Sequence, residues 1–458
     1  MKKHMIRLMI LSVLIIVCIG QTITLWLGDM SGHHFFAEKS TSYETSTLYP
    51  KEIWSNINGS IYKIEGANDE ADMRYKLLSE LVGQLRKAHF SIESTTKVSY
   101  ANLLASTPGL IYEYGTALTL EEIIGQSIKT KGNKTPSIKI QDLYVDMSSS
   151  ERSRLEVYLI DEIGNVRQKI TLNKGLEHHE EAMNYYKNIE QIGEIKTYQA
   201  SLLSPNDREI FKRNIFYPLN NQGVPLSYRK IRLKPLIQKE HREQLENYVN
   251  DLFKNPAYKI ETPVANGVTF SDNLNVSVFY DEVGTLEFKK ALVSEEEKSS
   301  KLENINLVSH FIKNSKAIPE FLKKGLYLKE VRTSGGGGET SYLFGYQYHN
   351  YEVVLSEPIK EKLGLETFLE LAVKNGQITR GKWMMLEPVP QKGFGKDQTP
   401  QLGTFKKESN EAISDLLEKL DVKEGTFELE DLECAYIIED LKEVLAFDWV
   451  GTYQKKAS

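Results

Sequence analysis

The residues best equipped for chemistry in this 458-residue chain are few and poorly supported by their surroundings. Ser94-Thr95-Thr96-Lys97 has the Ser-x-x-Lys spacing of acyl-transfer enzymes, where the Ser opens a helix and the Lys lies one turn on as a base. That chemistry needs a helix. The flanks, "FSIESTTKVSY", alternate instead and read as a strand. No Ser-x-Asn follows nearby and no Lys-Thr-Gly lies later. The run Gly335 to Gly338 lacks the spaced glycines and the Lys of a phosphate-cradling loop, and it reads as a hairpin tip. Histidines occur as the pairs His33-His34 and His178-His179. Adjacent histidines on a strand face opposite ways, and no His-Glu-x-x-His or nearby cysteine completes a metal site. Cys434 lies in an apolar run, the setting of a buried structural thiol rather than a nucleophile. The 63 carboxylates are scattered among 57 lysines and arginines, as on solvated faces. No Gly-x-Ser-x-Gly elbow occurs. The expectation is a non-enzyme with no catalytic residue, no cofactor and no metal.

The elements that would carry any site are α+β in pattern. "DEADMRYKLLSELVGQLRKAHF" has helical spacing: Met73, Leu77, Leu81 and Leu85 recur every four, with Leu78 and Val82 beside them. "TLEEIIGQSI" starts a second helix, with Thr119 placed as its cap. Further helices are expected in "EHREQLENYVNDLFK", "ENINLVSHFIKNS" and "NEAISDLLEKLDV". Between them lie hairpins. "LEVYLIDEIGNVRQKITL" and "LNVSVFYDEVGTLEFKKAL" both turn at Asp-Glu-x-Gly, at 161–164 and 281–284. These turns are either the trace of a repeated module or two uses of a common turn. Asn375-Gly376 marks a third hairpin, and "CAYIIEDLKEVLAFDWV" is a fourth. The rhythm of helix then antiparallel strands predicts modules of antiparallel sheet with helices on one face. The expected division is an N-terminal α+β domain over 51–195, a middle one over 196–300 and a C-terminal one over 301–458.

The N-terminus decides where this body sits. Lys2, Lys3 and Arg7 precede Leu8 to Leu27, a run without formal charge, and Asp29 closes it. About 20 residues make a helix of about 30 Å, enough to cross a bilayer. Basic residues first and an acid after predict a cytoplasmic tip over 1–7, a transmembrane helix over 8–27, a juxtamembrane linker over 28–50 and an extracellular body. A cleaved signal peptide is the rival reading, resting on Cys18-Ile19-Gly20. The apolar "TITLWL" that continues beyond favours a retained anchor in the cell membrane. Cys18, Gln21 and Thr24 fall at i, i+3 and i+6, a mildly polar strip that could contact a partner helix or simply sit near the outer interface. Net charge is −6, which leaves no basic excess for nucleic acid. Only two cysteines occur, Cys18 and Cys434, so no intrachain disulfide is expected in the body.

Several stretches resemble the YycH family, which has a relative in YycI. They are "LWLGD" at the exit of the span, "TSYLFGYQYHNYEVV", "LAVKNGQITRGKWMML", and the closing pair Ala435-Tyr436-Ile437-Ile438 and Phe447-Asp448-Trp449. The length agrees too, although no Pro precedes Trp449. The resemblance implies a membrane-anchored, extracytoplasmic regulator of the WalK (YycG) sensor histidine kinase of low-GC Gram-positive bacteria, acting on cell-wall metabolism. It implies that the anchor packs against the kinase's transmembrane helices and that the body contacts the kinase or a YycI-like protein. It also implies a YycI-like C-terminal domain. The aromatic strands from Tyr342 to Tyr351 are either core or contact surface. Two other classes stand beside this one: an anchored cell-envelope enzyme or assembly factor acting on wall polymers, and a surface binding or adhesion protein.

Overall fold

Alternating apolar residues around tight turns build most of this molecule, because a strand with one apolar face must find neighbours to bury it. The computed structural model describes residues 48–57, 59–64, 73–87, 90–94, 98–128, 138–148, 154–173, 177–178, 197–204, 210–218, 226–237, 243–272, 275–292, 299–334, 338–391, 401–419 and 427–455. Nine strands form the first sheet: β1 (Glu52–Ile57), β2 (Ser60–Lys63), β3 (Phe90–Ser94), β4 (Gly109–Leu118), β5 (Ile140–Asp146), β6 (Leu155–Ile160), β7 (Val166–Leu172), β8 (Thr197–Ala200) and β9 (Phe216–Pro218). Their order is β3-β7-β6-β5-β4-β1-β2-β8-β9, antiparallel throughout.

Two short strands follow, β10 (Leu226–Arg229) and β11 (Ile231–Pro235). Next come β12 (Ile260–Val264), β13 (Gly267–Ser271), β14 (Val276–Asp281), β15 (Thr285–Lys290), β16 (Leu326–Thr333), β17 (Glu339–Tyr348), β18 (Tyr351–Leu355), β19 (Leu369–Lys374) and β20 (Gln377–Met384). The last are β21 (Leu386–Pro390), β22 (Leu402–Phe405), β23 (Phe427–Ile438) and β24 (Ala446–Lys455). The second sheet has eleven strands in the order β12-β13-β14-β15-β20-β19-β17-β18-β23-β24, with β16 also on β17. Only its β18–β23 pairing is parallel. β10 pairs β22 and β11 pairs β21 in two separate ladders.

The α+β class is as expected, but the domain division is corrected. The expected boundary at 195/196 falls inside the first sheet, which takes β8 and β9. The boundary at 300/301 falls inside the second, where β15 pairs β20. Two sheets replace three modules. A period of two reveals which face of a strand is apolar and nothing about its partner, which can lie a hundred residues away.

The local expectations hold where their causes are local. Both Asp-Glu-x-Gly turns close alike: Gly164 N–H donates to Asp161 O at 3.1 Å and Gly284 N–H to Asp281 O at 2.9 Å. Both glycines have positive φ, +82° and +117°. Each Asp side chain accepts from the backbone N–H two residues on. Turn chemistry alone thus accounts for the shared motif. Asn375 and Gly376 both take left-handed φ, +51° and +69°, as a two-residue hairpin requires.

The helix Met73–Arg86 sinks Leu77, Leu78, Leu81, Val82 and Leu85 into the core. Thr119 and Glu122 cap Leu120–Ile124 reciprocally, and Ser300 and Glu303 do the same for Lys301–Asn314. In the helix expected in "EHREQLENYVNDLFK", the described residues form Glu246–Val249 flanked by 3₁₀ turns at 243–245 and Asn250–Leu252. Its end is tied down by Asp251, which accepts from Ser315 Oγ at 2.7 Å and Lys316 N–H at 2.9 Å.

Candidate functional site

The two sheets meet where β4 crosses β16, and glycine permits the approach. A Cβ on Gly115 would lie 2.6 Å from Leu328 O and 2.7 Å from the Tyr327 ring. The same ring lies over Gly345 of β17, where a Cβ would come 2.4 Å from its Cζ. Beside this contact runs a seam of buried charge. Lys51 stands just before β1, after buried Leu48 and Pro50, and is 9% exposed. Its Nζ lies 2.8 Å from Glu433 Oε1, 3.1 Å from Asp431 Oδ2 and 3.8 Å from Glu352 Oε2. Asp431 and Glu433 are two apart on β23 and so share a face, and Glu352 is on neighbouring β18.

Each carboxylate has a second partner. Lys329 pairs with Glu352, and Arg213 Nη2 reaches Asp431 Oδ2 at 3.1 Å. Arg213 Nε also donates to Glu430 O at 2.6 Å, and Lys212 N–H to Leu429 O at 2.9 Å. Glu52 accepts from Lys63 at 2.7 Å and, across the seam, from Gln347 Nε2 at 2.7 Å. Behind them Trp54 Nε1 donates to Glu113 at 2.8 Å and Tyr100 OH to Asp142 at 3.0 Å.

Burial sets the protonation of this cluster. It drives the Glu433 carboxyl well above its ordinary range against the pull of Lys51, with Glu352 and Asp431 adding repulsion. It raises Asp142 in the same way, helped by Glu113. Glu352 goes the other way: burial opposes its charge but is outweighed by Lys329, the hydrogen bond with Glu433 and Lys51. Asp431 is likewise lowered, its burial outweighed by Lys51 and Arg213. Lys51 is held well above its ordinary value because Asp431, Glu433, Tyr327 and Glu352 together overcome its burial. These directions favour a protonated Glu433 beside an ionised Glu352.

The signs give a pH dependence. The raised groups, Glu433 and Asp142, stabilise the fold fully below their ordinary values of 4.5 and 3.8 and lose that contribution as pH rises. The lowered groups, Glu352 and Asp431, contribute above those values and lose it as pH falls through their folded pKa. The seam is therefore most stabilising near the ordinary carboxyl range. Glu433→Gln, which mimics the neutral acid, should gain on the wild type as pH is raised from about 5 to about 9. Denaturant midpoints taken across that range test this, and a constant difference would show that Glu433 does not titrate there.

The cavity beside the cluster, lined by Lys51, Glu52, Lys63, Trp54 and Glu433, measures about 30 Å³. It has room for about a water molecule. The arrangement can hold two sheets in one relation and exchange protons.

The residues singled out by sequence fall elsewhere. Ser94 ends β3, opposite Gln168 of β7, and Thr95, Thr96 and Lys97 lie outside the described residues. Gly338 belongs to the connection between β16 and β17, a hairpin as expected. His178 Nδ1 lies 3.3 Å from Glu80. Cys434 is buried, opposite Trp449. Tyr342, Tyr346 and Tyr351 are core residues, which decides that alternative. Cys18, Gln21 and Thr24, with the whole span 8–27, lie outside the described residues. Among those described, no helix is long and apolar enough to cross a membrane. Sequence reasoning missed the seam. Its trace is the run of four acids, Glu428, Glu430, Asp431 and Glu433, between the apolar residues of β23.

The described body is an α+β fold of two large antiparallel sheets that the chain enters at a charged seam. YycH from Bacillus subtilis has this fold. Its crystal structure matches with a TM-score of 0.58 over 91% of this chain and 98% of that one, at 14% identity. An uncharacterized protein from Eubacterium rectale ATCC 33656 gives a TM-score of 0.32 at 12% identity, over 53% of this chain and 82% of its own, and carries no argument. No family model matches the chain, and no curated protein matches it in sequence.

Proposed function

We propose that this chain is a membrane-anchored, extracytoplasmic regulator that binds a WalK-type sensor histidine kinase and shifts its activity, with cell-wall metabolism as the output. The observation that carries this is the end-to-end agreement of fold with YycH, over 98% of that chain. The apolar run Leu8 to Leu27 behind a basic tip supplies the anchor. Regulation then needs no chemistry. A body and helix that fit one kinase conformation better than another shift its population by their difference in affinity. Cys18, Gln21 and Thr24 are the proposed contacts within the bilayer, and a YycI-like protein is a second partner for the body.

The test is crosslinking and pull-down from membranes with the full-length chain, beside a version whose Leu8 to Leu27 is replaced by an unrelated transmembrane helix. A sensor kinase that co-purifies with the native span and is lost with the exchanged one supports both the partner and the role of the span. Recovery with both places the contact in the body. Recovery with neither ends this reading.

A further inference from the structure

Strand β23 has an irregularity in its pairing between Leu429 and Asp431, and residues 210–215, which lead into β9, are seated on it. Phe211 forms a parallel bridge with Leu429, Lys212 N–H donates to Leu429 O at 2.9 Å, and Arg213 Nε donates to Glu430 O at 2.6 Å. The first sheet is thus joined to the second here by main chain as well as by charge. Bulges of this kind re-aim side chains.

Arg213 interacts with four acids: Asp431 and Glu433 of the second sheet, and Glu113 and Asp142 of the first. Glu113 and Asp142 are buried and lie directly opposite each other on β4 and β5. Two carboxylates so placed repel. Their hydrogen-bond donors are neutral, Trp54 Nε1 for Glu113 and Tyr100 OH for Asp142. Asp142 also faces Asp161 of the β6–β7 turn, whose charge Arg167 matches at 2.6 Å. Glu433 faces Lys51, Glu352 and Asp431, with Tyr327 and Lys329 of β16 close by. The seat is imperfect too. Asp142 Oδ1 and, in the segment itself, Asn214 Nδ2 are buried with no hydrogen-bond partner in the protein. Groups in that state gain by meeting water.

We propose that residues 210–215 are a proton-controlled latch: they stay seated on β23 while Asp142 and Glu433 carry protons, and lift from it as pH rises, with both sheets still folded. The cause is solvation. With the latch seated, burial opposes the charge of both carboxyls. With it lifted, water reaches them and they ionise as ordinary acids. The seated state therefore holds more protons than the lifted one, and each unit of pH above the ordinary carboxyl range favours lifting. Arg213 and Asn214 make the segment the cover of one acid pair and the partner of the other.

The Lys212 amide reports the latch directly, because its acceptor belongs to the other sheet. The experiment is hydrogen exchange of the full-length chain in detergent from about pH 5 to about pH 9, resolved to single amides and corrected for the intrinsic rate at each pH. Protection of the Lys212 amide should fall by about tenfold per pH unit for each proton released, until the seated-state pKa is passed. Amides inside the β6–β7 and β19–β20 ladders should keep theirs. In the double variant Asp142→Asn, Glu433→Gln the fall should disappear. Constant protection of Lys212 would overturn the proposal. So would an equal fall in both ladders, which is global unfolding, or a double variant that follows the wild type. The wild-type titration decides by itself if the variant does not fold.

Discussion

Lys51→Met should cost about 3–5 kcal/mol of stability, the penalty for stranding buried carboxylates without their cation. Lys51 is among the most buried charges of the molecule and the point on which Asp431, Glu433 and Glu352 converge. Chemical denaturation of the wild type and variant measures the cost. A loss of only about 1 kcal/mol, typical of exposed pairs, would mean that water reaches the seam. Adding Glu433→Gln to Lys51→Met should restore part of the loss at high pH, where the Glu433 carboxyl would otherwise have to ionise. The two changes are in contact and so should not be additive.

Tyr327→Ala should cost a similar amount, about 3–5 kcal/mol, by opening a cavity where the sheets meet. Its ring fills the space above two glycines, and this makes a double-mutant cycle informative. Gly345→Ala alone should cost about 1–3 kcal/mol, since the atoms nearest its new methyl all belong to Tyr327, at 2.4–2.7 Å. With the ring removed that clash is gone, so Gly345→Ala should be nearly neutral in the Tyr327→Ala background. Gly115→Ala should stay costly there, because its Cβ also lies 2.6 Å from the Leu328 carbonyl. Equal costs in both backgrounds at Gly345 would mean that the ring moves aside freely.

The contrast between the two glycines separates close approach of side chains from close approach of backbone. It also locates the rigid part of the junction: β4 against the β16 main chain. The charged seam beside it adds specificity of position, since an ammonium with several carboxylates around it has one good place to sit.

Much of this molecule was decided by neighbours in sequence. Thr119 with Glu122 and Ser300 with Glu303 start helices because three residues of spacing put each side chain on the other's backbone N–H. Asp161, Asp281 and Asn375-Gly376 turn strands for equally local reasons. The spacing of Leu77 to Leu85 placed a helix face before any neighbour was known. The stretches from Thr340 to Val354 and Leu371 to Leu386 resembled YycH for the same reason, as strand-turn-strand units legible in one pass. Three things were left to the tertiary structure: which strands pair, that two sheets rather than three modules result, and where the buried charge lies. Lys51 meets Glu433 across 382 positions of sequence. No period or motif encodes that distance. It is set where the two sheets dock and exclude water from what lies between them.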